Sequence, residues 1–298
     1  MIMKTALTAL FVFIIFNLYA QNINNYSFNN SLIFTNPAFA GSNGGLRVQS
    51  NYILSTQPFN YDKNLRYNSV DGYISKLKMG VFVSENGYNS EFSNINTQLS
   101  TGISKKISLK NGLTFVPAIS GTYLNGNNKY FYGWCATPPV TLYNVNCSEI
   151  TANSGLIISY KNFYAGISFN NMFSEKYKNK PYFLKEQTNA HIAYSYKLNE
   201  KNLIQLNAAL FVQNYYQSAQ VGANAIIQNH FLIGFGYNNS NEIINSIGFK
   251  TNIFSVKYNL NYGTSKLSET NYYLHSISAS LNLKPKNNKI NLKLFEEF

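Results

Sequence analysis

Charged side chains are scarce in this sequence of 298 residues. They make up 12% of it, about half the share that soluble proteins usually carry. Only 12 residues are acidic against 24 that are Lys or Arg, so the formal net charge is +12. The sequence has 2 cysteines, which excludes a disulfide-dense scaffold. It also has 22 Phe and 24 Tyr, too many for a chain that stays disordered.

Long apolar runs are missing beyond residue 20. No stretch there approaches ~18 apolar residues, which excludes a membrane-spanning helix in that part of the chain. Residues 1–20 have the pattern of a secretory signal peptide, with Lys4 before an apolar run and cleavage expected between Ala20 and Gln21. A transmembrane anchor is the alternative, but the run of roughly 11–15 residues is shorter than the ~20 that a spanning helix needs. We therefore expect an exported protein.

The sequence offers little material for catalysis. Its Asp and His residues are scattered over separate predicted strands and turns: Asp62, Asp71, His191, His230 and His275. None of the motifs H-E-x-x-H, G-x-S-x-G, the phosphate-binding loop or the dinucleotide fingerprint occurs. We therefore predict no catalytic residue, no cofactor, no metal site and a function that is not enzymatic.

Cys135 and Cys147 lie inside the longest predicted loop. Two cysteines in an exported chain favour a disulfide, which here closes a short loop and stabilises the fold by about 3 kcal/mol. A metal site is the alternative, but it needs further ligands and no His lies between the two cysteines.

The positive charge is spread along the chain. Lysines collect at predicted turns and in the carboxy-terminal tail: Lys76, Lys78, Lys105, Lys106, Lys110, Lys197, Lys201, Lys284, Lys286, Lys289 and Lys293. Nucleic-acid binding requires a concentrated basic face, and export argues against it as well. Solvated turns are the simpler interpretation, and contact with a periplasmic partner is the alternative.

Strict alternation of apolar and polar residues is the strongest signal in the sequence. In 203–213 the even positions are apolar, while Gln205, Asn207 and Gln213 face the other way, and 189–198, 217–228 and 272–283 repeat the pattern. Runs of ~10 residues with one apolar face are typical of transmembrane β-strands. About fourteen such strands are predicted, near 46–54, 65–75, 77–85, 94–104, 112–122, 152–160, 162–171, 187–197, 203–213, 217–228, 230–238, 243–250, 252–262 and 272–283.

Connection lengths support a membrane barrel. The connections after even-numbered strands are mostly tight turns, and the others are longer: 55–64, 86–93, 123–151, 172–186 and 263–271. Short periplasmic turns opposite long extracellular loops are typical of outer-membrane barrels. Aromatic residues at predicted strand ends fit interfacial girdles, although β-propensity alone also explains them: Tyr160, Phe163, Tyr164, Tyr215, Tyr216, Tyr262, Tyr272 and Tyr273.

The sequence thus divides into four parts. We predict a signal peptide over 1–20, an amino-terminal segment over 21–45, an all-β transmembrane antiparallel barrel over 46–283 and a basic tail over 284–298. The segment 21–45 either plugs the lumen or lies in the periplasm, and the sequence does not choose between these.

Several motifs resemble those of one family. Residues 36–42 read Asn36, Pro37, Ala38, Phe39, Ala40, Gly41 and Ser42. This resembles the N-P-A-[YF]-A-G-S motif near the mature amino end of the PorP/SprF family, outer-membrane proteins of type IX secretion in Bacteroidota. The strand segments 161–168, 230–237 and 273–278 resemble further family motifs in the same order.

The resemblance implies an integral outer-membrane protein that helps to export a partner or to attach it to the cell surface. The partners that it implies are the periplasmic type IX machinery and a large exported surface protein such as an adhesin, including those of gliding motility. An outer-membrane channel or transporter of hydrophobic small molecules is the alternative function. A barrel enzyme is the third and least supported one.

Overall fold

The computed structural model describes residues 32–57, 60–90, 93–132, 141–173, 186–213, 216–264 and 271–283. A single helical turn, α1 (Leu32–Thr35), and a 3₁₀ turn (Pro37–Phe39) precede the first strand. Within these ranges, no helix has the length and apolar character needed to cross a membrane.

Almost all of the remaining described chain is β-structure. The strands are β1 (Leu46–Gln57), β2 (Asn60–Ile74), β3 (Met79–Ser90), β4 (Ser93–Lys105), β5 (Ile107–Ser108), β6 (Thr114–Tyr132), β7 (Thr141–Tyr160), β8 (Phe163–Met172), β9 (Gln187–Lys197), β10 (Leu203–Gln213), β11 (Tyr216–Ile227), β12 (Phe231–Asn238), β13 (Glu242–Lys250), β14 (Phe254–Thr264) and β15 (Asn271–Leu283). The two-residue strand β5 continues β4 beyond Lys106, because both pair with β6 in one register. The wall therefore has fourteen strands.

Every strand pairs antiparallel with its neighbours in sequence, and the sheet closes on itself. Closure comes from β1 and β15, whose register runs from Leu46–Leu283 to Thr56–Tyr273. A closed sheet leaves no open edge in the wall, which is the condition for a β-structure to lie in lipid. The predicted transmembrane antiparallel barrel of fourteen strands is confirmed.

Side chains alternate between the outer wall and the lumen, as the sequence pattern predicts. On β12, Phe231, Ile233 and Phe235 point outward and are more than half exposed, while Leu232 between them is buried. On β14, the inward positions Lys257, Asn259 and Asn261 are all buried. The outer wall is therefore apolar and the lumen polar, the reverse of a soluble barrel.

Three predicted loops prove to be strand. The described residues of 55–64, 86–93 and 123–151 extend hairpins β1–β2, β3–β4 and β6–β7. These segments lack the apolar alternation because they continue past the apolar band. Their backbone groups still pair across the hairpin whatever the side chains are. The two ends of the barrel therefore differ partly in how far the hairpins extend. We call them the short-turn end and the long-hairpin end.

Two of the predicted girdle aromatics face the wrong way for that role. Tyr164 and Tyr272 point into the lumen and are buried, whereas Tyr160, Phe163 and Tyr273 are exposed on the outer wall. Tyr164 follows Phe163 directly, so the alternation of a strand sends one of them inward.

Because the apolar outer wall faces lipid, a charge in its band is expected to be costly. Leu206 on β10 and Leu198 in the turn before it are both 56% exposed. Leu206→Arg should lower the free energy of unfolding by about 2–4 kcal/mol, and Leu198→Arg, near the interface, by about 0–1 kcal/mol. Denaturant titration of each variant in lipid vesicles measures both values. Equal costs at the two sites would contradict the placement of β10 in the bilayer.

Candidate functional site

A segment of the chain lies inside the barrel. Residues 32–45, called the plug here, lead directly into β1 at the short-turn end. Asn36 and Phe39 are fully buried, and Ala38 and Ala40 nearly so. The plug and the inner wall form one apolar cluster, which includes Val116, Ile157, Tyr164 and Ala193 of the wall. This cluster is the main hydrophobic core of the protein.

Asn36 is the central polar contact of the plug. Its extended backbone places it at the start of the 3₁₀ turn, where its Oδ1 accepts a hydrogen bond from the N–H of Ala38 at 2.9 Å. Pro37 follows at the first turn position, where its missing N–H costs nothing. An Asn-Pro pair is therefore a good start for this turn.

The amide nitrogen of Asn36 binds the wall. It donates to the carbonyl oxygens of Ile167 at 3.1 Å and Leu156 at 3.4 Å, on β8 and β7. It also lies 3.1 Å from Nε2 of His191 on β9, which acts as the acceptor when that nitrogen carries no proton. One side chain thus ties the plug to three strands.

Phe39 fills the space beneath Asn36. Its ring stacks on His191 with a centroid distance of 5.2 Å and meets Tyr164 edge to face at 6.0 Å. Aromatic pairs at these distances add stability beyond the area that they bury. His191 therefore contacts two motif residues, one through a hydrogen bond and one through its ring face.

Small residues let the plug approach the wall at Gly41. Gly41 has φ +68, a conformation that glycine adopts without strain. A Cβ built on Gly41 would lie 2.7 Å from the Cα of Gly80 on β3. The hydroxyl of Ser104 donates to the carbonyl of Ala40 at 2.8 Å, and that of Ser42 donates to the carbonyl of Phe39 at 2.6 Å.

A buried ion pair holds the end of the plug. Arg47 and Asp71 face each other across β1 and β2, with Nε–Oδ1 at 2.8 Å and Nη2–Oδ2 at 3.2 Å. Both side chains are almost entirely buried. The Oδ2 of Asp71 also accepts a hydrogen bond from the backbone N–H of Gly41 at 2.8 Å. One carboxylate therefore fixes the plug and neutralises Arg47 at once.

The plug also touches the seam of the barrel. Asn43 donates from its amide to the Oδ1 of Asn282 on β15 at 2.7 Å. Because β15 pairs with β1 to close the barrel, this hydrogen bond lies at the seam.

The structure gathers some of the predicted site residues and separates others. All seven motif residues lie together in the plug. His191 joins them, but His230 lies at a turn and His275 lies on the outer wall, where its Nδ1 is 2.7 Å from the hydroxyl of Tyr258. Ala20, Gln21 and Cys135 lie outside the described residues, as does the side chain of Cys147. The described residues contain no group of His, Cys, Asp and Glu that could hold a metal ion.

The sequence analysis missed the wall residues that bind the plug. Arg47 and Asp71 are charged residues at inward positions of their strands, where most inward residues are uncharged. A charge at an inward position was therefore the signal that could have identified them. Nothing in the sequence pairs His191 with Asn36, because 155 residues separate them.

The two ion pairs of the described chain provide a matched comparison. Asp71→Asn leaves the buried Arg47 without its counter-charge and should cost about 3–5 kcal/mol of unfolding free energy. Glu85→Gln breaks the Arg66–Glu85 pair, whose side chains are 54% and 34% exposed, and should cost about 0–1 kcal/mol. Denaturant titration in the same detergent checks the ranking. Similar costs for both variants would show that Asp71 does not hold the plug.

Comparison with known proteins agrees with this architecture. The family model described as "Type IX secretion system membrane protein PorP/SprF" matches residues 15–281. No curated protein matches the chain.

Solved structures with a similar fold are outer-membrane proteins. The CymD monoaromatic hydrocarbon channel has a TM-score of 0.54 at 10% identity, covering 88% of this chain and 95% of that one. The toluene transporter TodX of Pseudomonas putida has a TM-score of 0.52 at 9% identity, covering 85% and 94%. Omp33 of Acinetobacter baumannii has a TM-score of 0.50 at 8% identity, covering 80% and 98%. At such identities the likeness concerns the fold alone. The family match extends over nearly the whole chain and confirms the resemblance of the motifs: the chain belongs to the PorP/SprF family of type IX secretion system membrane proteins.

Proposed function

We propose that this protein is a non-enzymatic outer-membrane component of type IX secretion that assists the export or surface anchoring of a partner protein such as an adhesin. The observation that carries the proposal is a lumen occupied by the protein's own amino-terminal segment in a member of this family. The proposal includes removal of residues 1–20 at Ala20–Gln21, insertion into the outer membrane with the short turns in the periplasm, and a disulfide between Cys135 and Cys147.

The plug argues for a binding role over a steady pore. Residues 36–42 contact strands from both sides of the lumen, including β2, β4, β7, β8 and β9. A lumen crossed by a packed apolar cluster admits no continuous water column there. The faces left for function are then the two ends of the barrel.

The long-hairpin end offers the surface for an exported partner. Strands β6 and β7 have 19 and 20 residues, whereas about 9–11 tilted residues cross the bilayer. The upper half of this hairpin therefore extends beyond the apolar band. On the cell surface, the part of this hairpin beyond the pairing of β6 with β4 at Asn128 would form a two-stranded projection suited to hold a large exported protein.

The short-turn end offers a basic surface for the periplasmic machinery. Lys76 and Lys78 lie in one exposed turn, and Lys105 and Lys106 reach it from β4 and its end. The ammonium group of Lys105 donates to the carbonyl of Leu77 at 2.5 Å, and the N–H of Lys106 donates to the carbonyl of Lys78 at 2.9 Å. Four lysines thus cluster at the end of the barrel where the plug leads into β1, and an acidic partner surface would bind them there.

The alternative is a channel for small hydrophobic molecules. The fold likeness to a hydrocarbon channel and a toluene transporter favours it. The plug across the lumen favours the secretion role.

Deletion of the gene tests the leading proposal. Mass spectrometry of proteins shaved from intact cells should lose a specific exported protein, and the wild-type gene should restore it. A variant with Lys76, Lys78, Lys105 and Lys106 changed to Gln should insert in the membrane yet restore less. An unchanged surface proteome after deletion would refute the proposal.

Conductance measurements separate the two functions. Wild-type protein in planar bilayers should show no steady pore, because the plug stays in place. Asn36→Asp removes the donor to Ile167 and Leu156 and sets a carboxylate against their carbonyls, a loss of about 1–3 kcal/mol, so openings should become more frequent. Asn111→Asp, in an exposed turn, keeps its acceptor for the N–H of Leu113 and should behave as wild type. A large steady pore in the wild type would favour transport instead.

A further inference from the structure

A second feature of the lumen lies apart from the plug. Strands β10 to β14 surround a small polar cavity of about 10 Å³, which no plug residue lines. Its polar lining consists of Asn207, Gln220, Asn224, Ser246, Lys257 and Asn259. A space of this size has room for about one water-sized species, so this cavity suits a small ion and no larger organic molecule.

Lys257 brings a positive charge into this cavity. It is 8% exposed and belongs to β14, at an inward position. The ion pairs of the described chain are Arg47–Asp71 and Arg66–Glu85, and neither includes Lys257. Glu242 on the adjacent strand is paired with Gly263, six residues along β14 from Lys257, a separation of roughly 20 Å. The cavity lining itself contains no carboxylate.

Two amide groups add donors to the same cavity. The Nδ2 atoms of Asn207 and Asn224 are buried and have no acceptor among the described residues. Both residues are less than a tenth exposed. Buried donors normally have partners, since leaving one unsatisfied costs about 1–3 kcal/mol. Three donor groups, one of which carries a full positive charge, therefore line one small space.

We propose that this cavity is a binding site for a small inorganic anion of halide size, with chloride as its ordinary occupant. An anion accepts hydrogen bonds from the ammonium of Lys257 and from both amides, and it neutralises the buried charge. A water molecule accepts only two hydrogen bonds and leaves that charge uncompensated, which is costly in a buried site. A metal cation is disfavoured by the ammonium group.

Bromide tests the site because it replaces chloride and scatters anomalously. Crystals of the full-length protein grown in sodium bromide should show a bromine peak within about 3.5 Å of Nζ of Lys257, in hydrogen-bonding contact. Lys257→Met should lose this peak. Lys197→Met, at an exposed lysine on the end of β9, should retain it.

A second variant keeps the test decisive if Lys257→Met does not fold. Asn224→Asp preserves the shape of the side chain but puts a carboxylate into the cavity, so it should exclude bromide. An ordered water with no bromine signal beside Lys257 in the wild type would overturn the proposal. So would a peak that persists in Lys257→Met, or bromide found only at exposed lysines as an adventitious ion.

Discussion

The pairing of β1 with β15 is the constraint on which the rest of the structure depends. A sheet of fourteen strands in lipid has no water to satisfy the backbone groups of an open edge. Closure of the first strand on the last removes that edge, and the polar lumen follows from it. Once the sheet is closed, successive residues of each strand face the outer wall and the lumen in turn.

The closed wall also explains where the hydrophobic core lies. Most apolar residues of the strands face lipid, so the strands alone contribute few residues to a core. The plug adds to it by bringing Phe39 and the alanines around it into the lumen, where wall residues such as Ile157 and Tyr164 point inward. The largest apolar cluster of the described residues is thus built jointly by the plug and the inner wall. Polar contacts at Asn36 and Asp71 fix its position, and the apolar contacts fill the space between them.

Strand positions could be predicted from the sequence because apolar residues face lipid and polar residues face the lumen, so the two types alternate along each strand. All fourteen wall strands lie where the pattern places them, and Leu203–Gln213 matches its predicted bounds. The pattern failed for the upper halves of β6 and β7, where apolar and polar residues no longer alternate in the sequence. It also failed to identify Tyr164 as a lumen residue, because a pair of adjacent aromatics has the same composition whichever one faces lipid.

The functional residues were predictable only in part, for a related reason. The motif Asn36–Ser42 is contiguous, so its members could be recognised together. Its partners come from the wall: His191 lies on β9, Asp71 on β2 and Ser104 on β4. Contacts between residues so far apart in sequence depend on the shear and radius of the closed barrel, which the local pattern of each strand does not contain.

The bond between Asn43 and Asn282 joins the two ends of the described chain, and this has a consequence for assembly. β15 is the last strand to be synthesised, and the seam that it completes encloses a segment synthesised before β1. The plug is therefore enclosed only when the last wall strand pairs with the first. A protein cut short before β15 would lack both its seam and the enclosure of its core, so the packing of residues 32–45 depends on the thirteen residues of β15.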